Sequence, residues 1–158
     1  TENVAGIVGV AKALEMAEKW RKDDLKLNEM VELRDYLIEE ILKRIPDSYL
    51  NGPEDKSHPG ADRLANNINV SFAGVDGASL LIKFDMEGIC AASGSACTSG
   101  SLEPSHVLTA IGRSSELATG SLRLTLGRST SKEDVDFVLE VLEKAVKELR
   151  GNSPIYNS

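Results

Sequence analysis

Cys97 stands in a run of small and polar residues, SGSACTSGSLEPSH, which extends from Ser93 to His106. A thiol reacts as the thiolate and has to be accessible to its reaction partner. Gly94 and Gly100 bracket Cys97 and widen the range of backbone conformations around it. The pattern indicates a reachable thiol that could act as a nucleophile. The alternative is an unreactive surface cysteine in a polar loop, and no Lys, Arg or His is adjacent to activate the thiol.

Arg123 lies in the segment SLRLTLG, where apolar and polar residues alternate. The alternation predicts a strand with Leu122, Leu124 and Leu126 on the buried face, so Arg123 and Thr125 share the polar face. The planar guanidinium of arginine can bind a carboxylate through two hydrogen bonds. On the pattern alone, an arginine on a solvated sheet face is the favoured interpretation.

Cys90 has a different setting, GICAAS, in which a short strand is expected over residues 89–91. Free cysteines are among the most buried residues in proteins. We therefore expect Cys90 to be a buried structural thiol.

The composition limits the class of protein. The chain has 158 residues, 41% of them hydrophobic and 27% charged, which suits one soluble domain. A net charge of −7 argues against nucleic acid or an anionic membrane as partner. No apolar run is long enough to span a bilayer, and the start lacks the basic region of a signal peptide. Two cysteines without CxxC spacing and two histidines without ligand spacing predict a reducing cytoplasm and no metal site.

The elements that would position these residues follow from hydrophobic periodicity. Helical spacing from Val4 and again over residues 27–45 predicts two helices with a break at RKDDLK. Two strands are predicted after these helices, at NNINVSF and around Arg123. Three further helices are predicted: one capped by Asp76 and ended by Gly88, one from Pro104, and a final one with Thr130 and Glu133 as its capping box. This order predicts an α/β fold in which helices cover a small antiparallel or mixed sheet.

Several motifs, taken together, resemble one enzyme family. The run ASGSACTSGSLEPSHVLTAIG followed by GSLRLTLGRSTSKEDVD is similar to the C-terminal part of NifS/IscS-type cysteine desulfurases, in the group with the long cysteine loop. LNG and RLANNINVSF match in order, and TENVAGIVGVAKALE resembles the segment that follows the family's R-S-G-T motif. The resemblance extends from Thr1 to about Arg150.

The resemblance implies a pyridoxal-phosphate-dependent homodimer of the aspartate-aminotransferase fold type, which converts L-cysteine to L-alanine. Cys97 would carry the sulfur as a persulfide, Arg123 would bind the substrate carboxylate, and Thr1 would donate a hydrogen bond to the cofactor phosphate of the neighbouring subunit. An iron–sulfur scaffold or another sulfur acceptor would be the protein partner. The family's cofactor lysine lies in a Ser-x-His-Lys motif, and this chain contains no His-Lys pair.

The implied organisation is that of the small C-terminal domain of a fold-type I enzyme. Residues 1–25 would form a helix that connects it to the large domain, residues 26–150 the small domain, and residues 151–158 a tail. Two other functions remain open: a docking module for a sulfur acceptor, and an inert folded fragment. We also expect the loop over residues 92–101 to be the most mobile internal segment, since its middle holds no side chain large enough to anchor it.

Overall fold

The structure is a computed structural model, and it describes residues 1–53, 63–94 and 104–152. Along these residues the elements are α1 (Val4–Arg21), α2 (Asp24–Arg44), β1 (Ser48–Leu50), β2 (Asn67–Phe72), α3 (Gly77–Met86), α4 (His106–Ala110), α5 (Ser115–Thr119), β3 (Ser121–Thr125) and α6 (Lys132–Gly151).

The three strands form one antiparallel sheet in the order β1-β2-β3. In its centre Val70 of β2 lies opposite Leu50 of β1 and Leu122 of β3. Because side chains alternate along a strand, these residues share one face, and all three are buried. Asn69 and Arg123, which are also Cα partners, lie on the other face. The sequence expectation of a small sheet with this alternation is confirmed, and the pairing is antiparallel throughout the described strands.

Helices α2, α3 and α6 cover the apolar face of the sheet. The largest fully buried side chains come from these helices and the strands, among them Leu37, Ile41, Leu80, Phe84, Leu139 and Leu142. The expected apolar stripe of the last helix is confirmed, with four of the six expected positions buried and the other two packed at the margin of the core. The apolar face of the sheet is therefore covered, whereas the polar face is covered in part: Ser71 and Ser121 are buried there, and Arg123 and Thr125 are exposed.

Two of the predicted helix boundaries depend on side-chain caps, at α3 and α6. The carboxylate of Asp76 accepts a hydrogen bond from the backbone N–H of Ser79, and Gly88 follows α3 with a φ of +75°, as expected. The expected capping box at Thr130 and Glu133 is wrong by one residue. Ser131 and Asp134 form it, because the Thr130 hydroxyl instead accepts from the N–H of Gly127 in the preceding turn.

Three other expectations need correction. Residues 89–91 are not a strand, and only Ala92 pairs with a strand residue there, in an isolated bridge to Arg123. Helix α4 begins at His106, after Ser105, and not at Pro104. Helix α5 was not predicted, since five residues are too few to show helical periodicity.

Helix α1 contrasts with the rest, because none of its residues is buried. Val4, Ile7, Val8, Val10 and Leu14 each expose at least 60% of their surface. Helices that are apolar on several faces are normally covered on several faces. At its end, Trp20 stacks against Arg128 at 6.0 Å from guanidinium carbon to ring centroid, which ties the helix to the loop after β3.

Gly120, between α5 and β3, provides a test of this packing. A Cβ there would lie 2.5 Å from the carbonyl oxygen of Phe72 and 2.6 Å from that of Val75. We expect Gly120→Ala to lower the free energy of unfolding by about 1–3 kcal/mol, because two backbone groups would have to move. Urea unfolding followed by circular dichroism measures it.

The matched control is Gly151→Ala at the end of α6, where no atom lies within 4 Å of an added Cβ. It should be neutral or stabilise by up to about 1 kcal/mol, since alanine favours the helix. Equal effects of the two substitutions would show that the close approach at Gly120 does not matter.

Candidate active site

Arg123 occupies the middle of β3 on the polar face of the sheet, as its sequence pattern predicts. Its side chain is exposed, and so is that of Thr125. Among the residues that the structure describes, the guanidinium group of Arg123 has no hydrogen-bond or ion-pair partner. An uncommitted guanidinium on a fixed strand can receive a carboxylate in the bidentate geometry.

The chain that leads to Cys97 leaves the sheet directly beside this arginine. Ala92 and Arg123 exchange both backbone hydrogen bonds, with N···O distances of 3.0 and 2.6 Å. Ser93 then packs on Gly77, where an added Cβ would lie 2.2 Å from the Ser93 hydroxyl oxygen. Gly77 is itself buried at the start of α3. Residues 92 and 93 are thus held at the edge of β3 by backbone pairing and by close contact.

Cys97 itself lies outside the described residues, within the gap between residues 94 and 104. Most of the loop that we expect to be mobile lies outside them as well, and the expectation stays a prediction. Of that loop, residues 92–94 are described; Ala92 and Ser93 are half-buried, and Gly94 is exposed.

Cys90 is exposed, so the expectation of a buried structural thiol is wrong. The chain turns at Gly88, in the left-handed region, and Ile89 and Ala91 on either side of Cys90 pack against the core. Cys90 therefore points outward, at the rim of a groove of about 450 Å³ between β3 and α6.

Thr1 precedes α1 and is exposed. Asn3 caps the helix by accepting a hydrogen bond from the N–H of Gly6 at 2.9 Å, and no acidic residue lies in the first turn. No hydrogen bond joins Thr1 to Arg123. Of the three residues that the resemblance assigns to the site, the structure describes only Thr1 and Arg123, and the assignment stays a prediction.

The sequence did not single out Asn51 and Arg113, which meet on the polar face. The amide oxygen of Asn51 accepts a hydrogen bond from Nε of Arg113 at 2.6 Å, although 62 residues separate them. Asn51 is only 3% exposed. In the sequence its setting, LNG, is typical of a turn, and a contact at this separation leaves no local pattern.

Within residues 1–53, 63–94 and 104–152, no helix is both long and apolar enough to cross a bilayer. Nor do three or more His, Cys, Asp or Glu side chains of these residues come together in the manner of a metal site.

Comparisons with known proteins agree on one family. The family model described as aminotransferase class-V matches residues 1–138. The "Cysteine desulfurase IscS" of Dictyoglomus turgidum is 53% identical over 98% of this chain and 37% of its own length. The protein of the same description from Methanosarcina thermophila is 52% identical over 98% of this chain and 36% of its own length. The chain thus spans little more than a third of the length of these curated relatives.

Solved structures give the same answer for the fold. A structure described as a NifS-like protein matches with a TM-score of 0.73 and 26% identity, over 94% of this chain and 35% of that one. The NifS-like protein of Rickettsia africae matches with a TM-score of 0.59 and 26% identity, over 77% of this chain and 29% of that one. The extent of the family match and the identity to its desulfurases show that the chain belongs to the class-V aminotransferase family, as a NifS/IscS-like fragment.

Proposed function

We propose that this chain is the sulfur-accepting part of a pyridoxal-phosphate-dependent cysteine desulfurase, with Cys97 as the residue that receives the sulfur. One observation carries the proposal: Ala92 is hydrogen-bonded to Arg123 through the backbone, so the segment with the thiol starts beside the arginine. Five residues of extended chain reach at most about 18 Å, which keeps Cys97 within range of a substrate held by Arg123.

In this proposal the guanidinium group of Arg123 binds the carboxylate of L-cysteine. Its guanidinium offers parallel N–H donors that match the two carboxylate oxygens, and its place in the centre of β3 fixes the backbone from which the side chain extends. Holding the substrate at its carboxylate leaves the thiol end free to face Cys97. The arginine thus orients the substrate and takes no proton.

The sulfur transfer balances without an external oxidant or reductant. The thiolate of Cys97 attacks the sulfur of L-cysteine, an S–S bond forms, and the C–S bond of the substrate breaks. The electron pair of that bond stays on the carbon, which takes up a proton and becomes the methyl group of L-alanine. L-Cysteine and the Cys97 thiol therefore give L-alanine and a Cys97 persulfide.

The residues of this chain fit part of a cofactor site. Thr1 offers an exposed hydroxyl just before the N-terminus of α1, where backbone N–H groups and the helix dipole favour a phosphate group. The first turn of α1 holds no acidic residue, and Glu2 is the one carboxylate between Thr1 and the helix. When bound, pyridoxal phosphate supplies the electron sink for cleavage of the C–S bond. Its anchoring lysine belongs to a motif that the 158 residues do not contain, and we assign that lysine to another part of a longer protein.

The domain assignment follows from the same comparison of lengths. We assign α1 to the connection between this small domain and a large domain. The large domain would cover the apolar side chains that α1 exposes. The complete enzyme would be a homodimer in the cytoplasm, with an iron–sulfur scaffold or another sulfur acceptor as its partner.

A stoichiometric assay tests the proposal. A full-length desulfurase carrying this chain, mixed with L-cysteine and no reductant, should give one alanine and one persulfide sulfur per subunit. This chain alone with added pyridoxal phosphate should give neither, since it lacks the cofactor lysine. Turnover by the chain alone at about 1 per second, an ordinary enzymatic rate, would contradict the assignment of the lysine elsewhere. Sulfide and alanine released without persulfide would contradict the role of Cys97.

A further inference from the structure

Helix α4 is the first described element after the segment that contains Cys97. Few interactions of its own side chains stabilise this helix. It comprises five residues and buries one apolar side chain, Leu108. Such a short helix is not stable without tertiary contacts. Its end is well defined, because Gly112 has a φ of +91° and the N–H of Arg113 returns to the carbonyl oxygen of Leu108. This turn places the Arg113 side chain at a fixed point beyond the helix.

Arg113 fastens that point to the sheet through three contacts. Its Nε donates to the amide oxygen of Asn51 at 2.6 Å, and its Nη2 donates to the carbonyl oxygen of Leu50. The guanidinium carbon also lies 5.8 Å from the centroid of the Tyr49 ring. All three partners belong to β1 or to the residue that follows it. A single arginine thus joins α4 to the strand on the far side of the sheet.

Asn51 connects Arg113 to β2, the strand that pairs with the Arg123 strand, through side-chain hydrogen bonds. Its amide nitrogen donates to the amide oxygen of Asn69 at 2.7 Å and to the hydroxyl of Ser71 at 2.8 Å. Asn69 is in turn the Cα partner of Arg123. Because Asn51 and Ser71 are buried, each hydrogen bond is shielded from water, and loss of one leaves a buried polar group without its partner.

We propose that Arg113 is a positioning residue of the sulfur transfer: it holds the downstream end of the Cys97-bearing segment against the sheet face that carries Arg123. This inference rests on the proposed function. The upstream end is held by the Ala92 bridge to Arg123, and Arg113 performs the same task for the end that enters α4. A lysine cannot replace it fully, since a single ammonium does not offer a planar pair of donors to Asn51 and Leu50.

Kinetics of Arg113→Gln in a full-length desulfurase carrying this chain test the proposal. We expect kcat for persulfide formation to fall about tenfold, because misplacement of a reacting group by an ångström is known to cost up to about 100-fold. KM for L-cysteine should stay within about twofold, since Arg123 is untouched. Arg113→Lys, which retains the charge and so serves if Arg113→Gln fails to fold, should lose about threefold.

The matched control is Arg150→Gln. Arg150 is buried where Arg113 is half-buried, and it likewise donates to backbone carbonyl groups, those of Pro46, Asp47 and Ala73, but at the end of α6. It should lower stability without changing kcat of the folded enzyme. An equal loss of kcat in Arg150→Gln, or an unchanged kcat in both Arg113 variants, would overturn the positioning role.

Hydrogen exchange separates this inference from the proposed function. The backbone N–H groups of Thr109 and Ile111 bond within α4, and Arg113→Gln should make them exchange faster while Arg150→Gln should not. Unchanged exchange would overturn the anchoring by Arg113. A further outcome is that Arg113→Gln speeds exchange while the wild-type enzyme forms no persulfide on Cys97. That result would support the anchoring of α4 by Arg113, overturn the role of Arg113 in sulfur transfer, and show that the proposed function is wrong.

Discussion

In a full-length desulfurase carrying this chain, Cys97→Ser is expected to abolish sulfur transfer, with a loss of about 10⁴-fold or more. Removal of a covalent nucleophile typically has an effect of this size. A serine oxygen cannot form the S–S bond that retains the sulfur. The cofactor absorbance should be unchanged, because no role in holding pyridoxal phosphate is assigned to Cys97. Alanine formation under single-turnover conditions measures the loss.

Cys90→Ser is the matched control for this substitution. Both changes replace one sulfur by one oxygen in the same domain, and Cys90 is exposed, so the control should not disturb the core. We expect its rate to stay within about twofold of the wild type, as for surface substitutions away from a site. A Cys97→Ser enzyme with a tenth or more of the wild-type rate would contradict the assignment, and so would a large loss in Cys90→Ser.

The second large effect is expected for Arg123→Lys, which should lower kcat/KM for L-cysteine about 10- to 100-fold. This range corresponds to roughly 1–3 kcal/mol, the contribution of hydrogen bonds to a charged group. The charge is kept, so the loss would report the paired donors that a lysine lacks. Since the Arg123 side chain is exposed, the strand and its pairing with Asn69 should persist, and the melting temperature should change little.

Arg128→Lys provides the comparison for Arg123→Lys. Arg128 lies three residues beyond β3 and stacks on Trp20. Its replacement should leave kcat/KM unchanged. If Arg123→Lys also leaves kcat/KM within about twofold of the wild type, Arg123 does not bind the substrate carboxylate.

Local pattern was enough to predict the elements that carry the site. The alternation of Leu122, Leu124 and Leu126 places Arg123 on the polar face because the period of a strand is two, and the structure has that arrangement. Asp76 and Gly88 mark the two ends of α3 through a cap and a left-handed turn, both of which depend on single residue types. These features are local, and a sequence can show them directly.

The errors concern features that tertiary contacts decide. Cys90 is exposed because its two chain neighbours, Ile89 and Ala91, pack against the core and leave the thiol on the outer side. The pairing of Arg113 with Asn51 joins residues 62 positions apart, and the sequence shows a turn residue at one end and a surface cation at the other. Contacts of this kind follow from how α4 and β1 pack, which hydrophobic periodicity does not encode.

The most direct test of the central claim is the location of the transferred sulfur. A full-length desulfurase carrying this chain is mixed with L-cysteine, alkylated without reductant, digested and analysed by mass spectrometry. Cys90 serves as an internal control, because it is exposed and open to the same reagents. We predict one added sulfur atom on the peptide with Cys97 and none above background on the peptide with Cys90. Sulfur mainly on Cys90, or on neither peptide while alanine accumulates, would contradict the account.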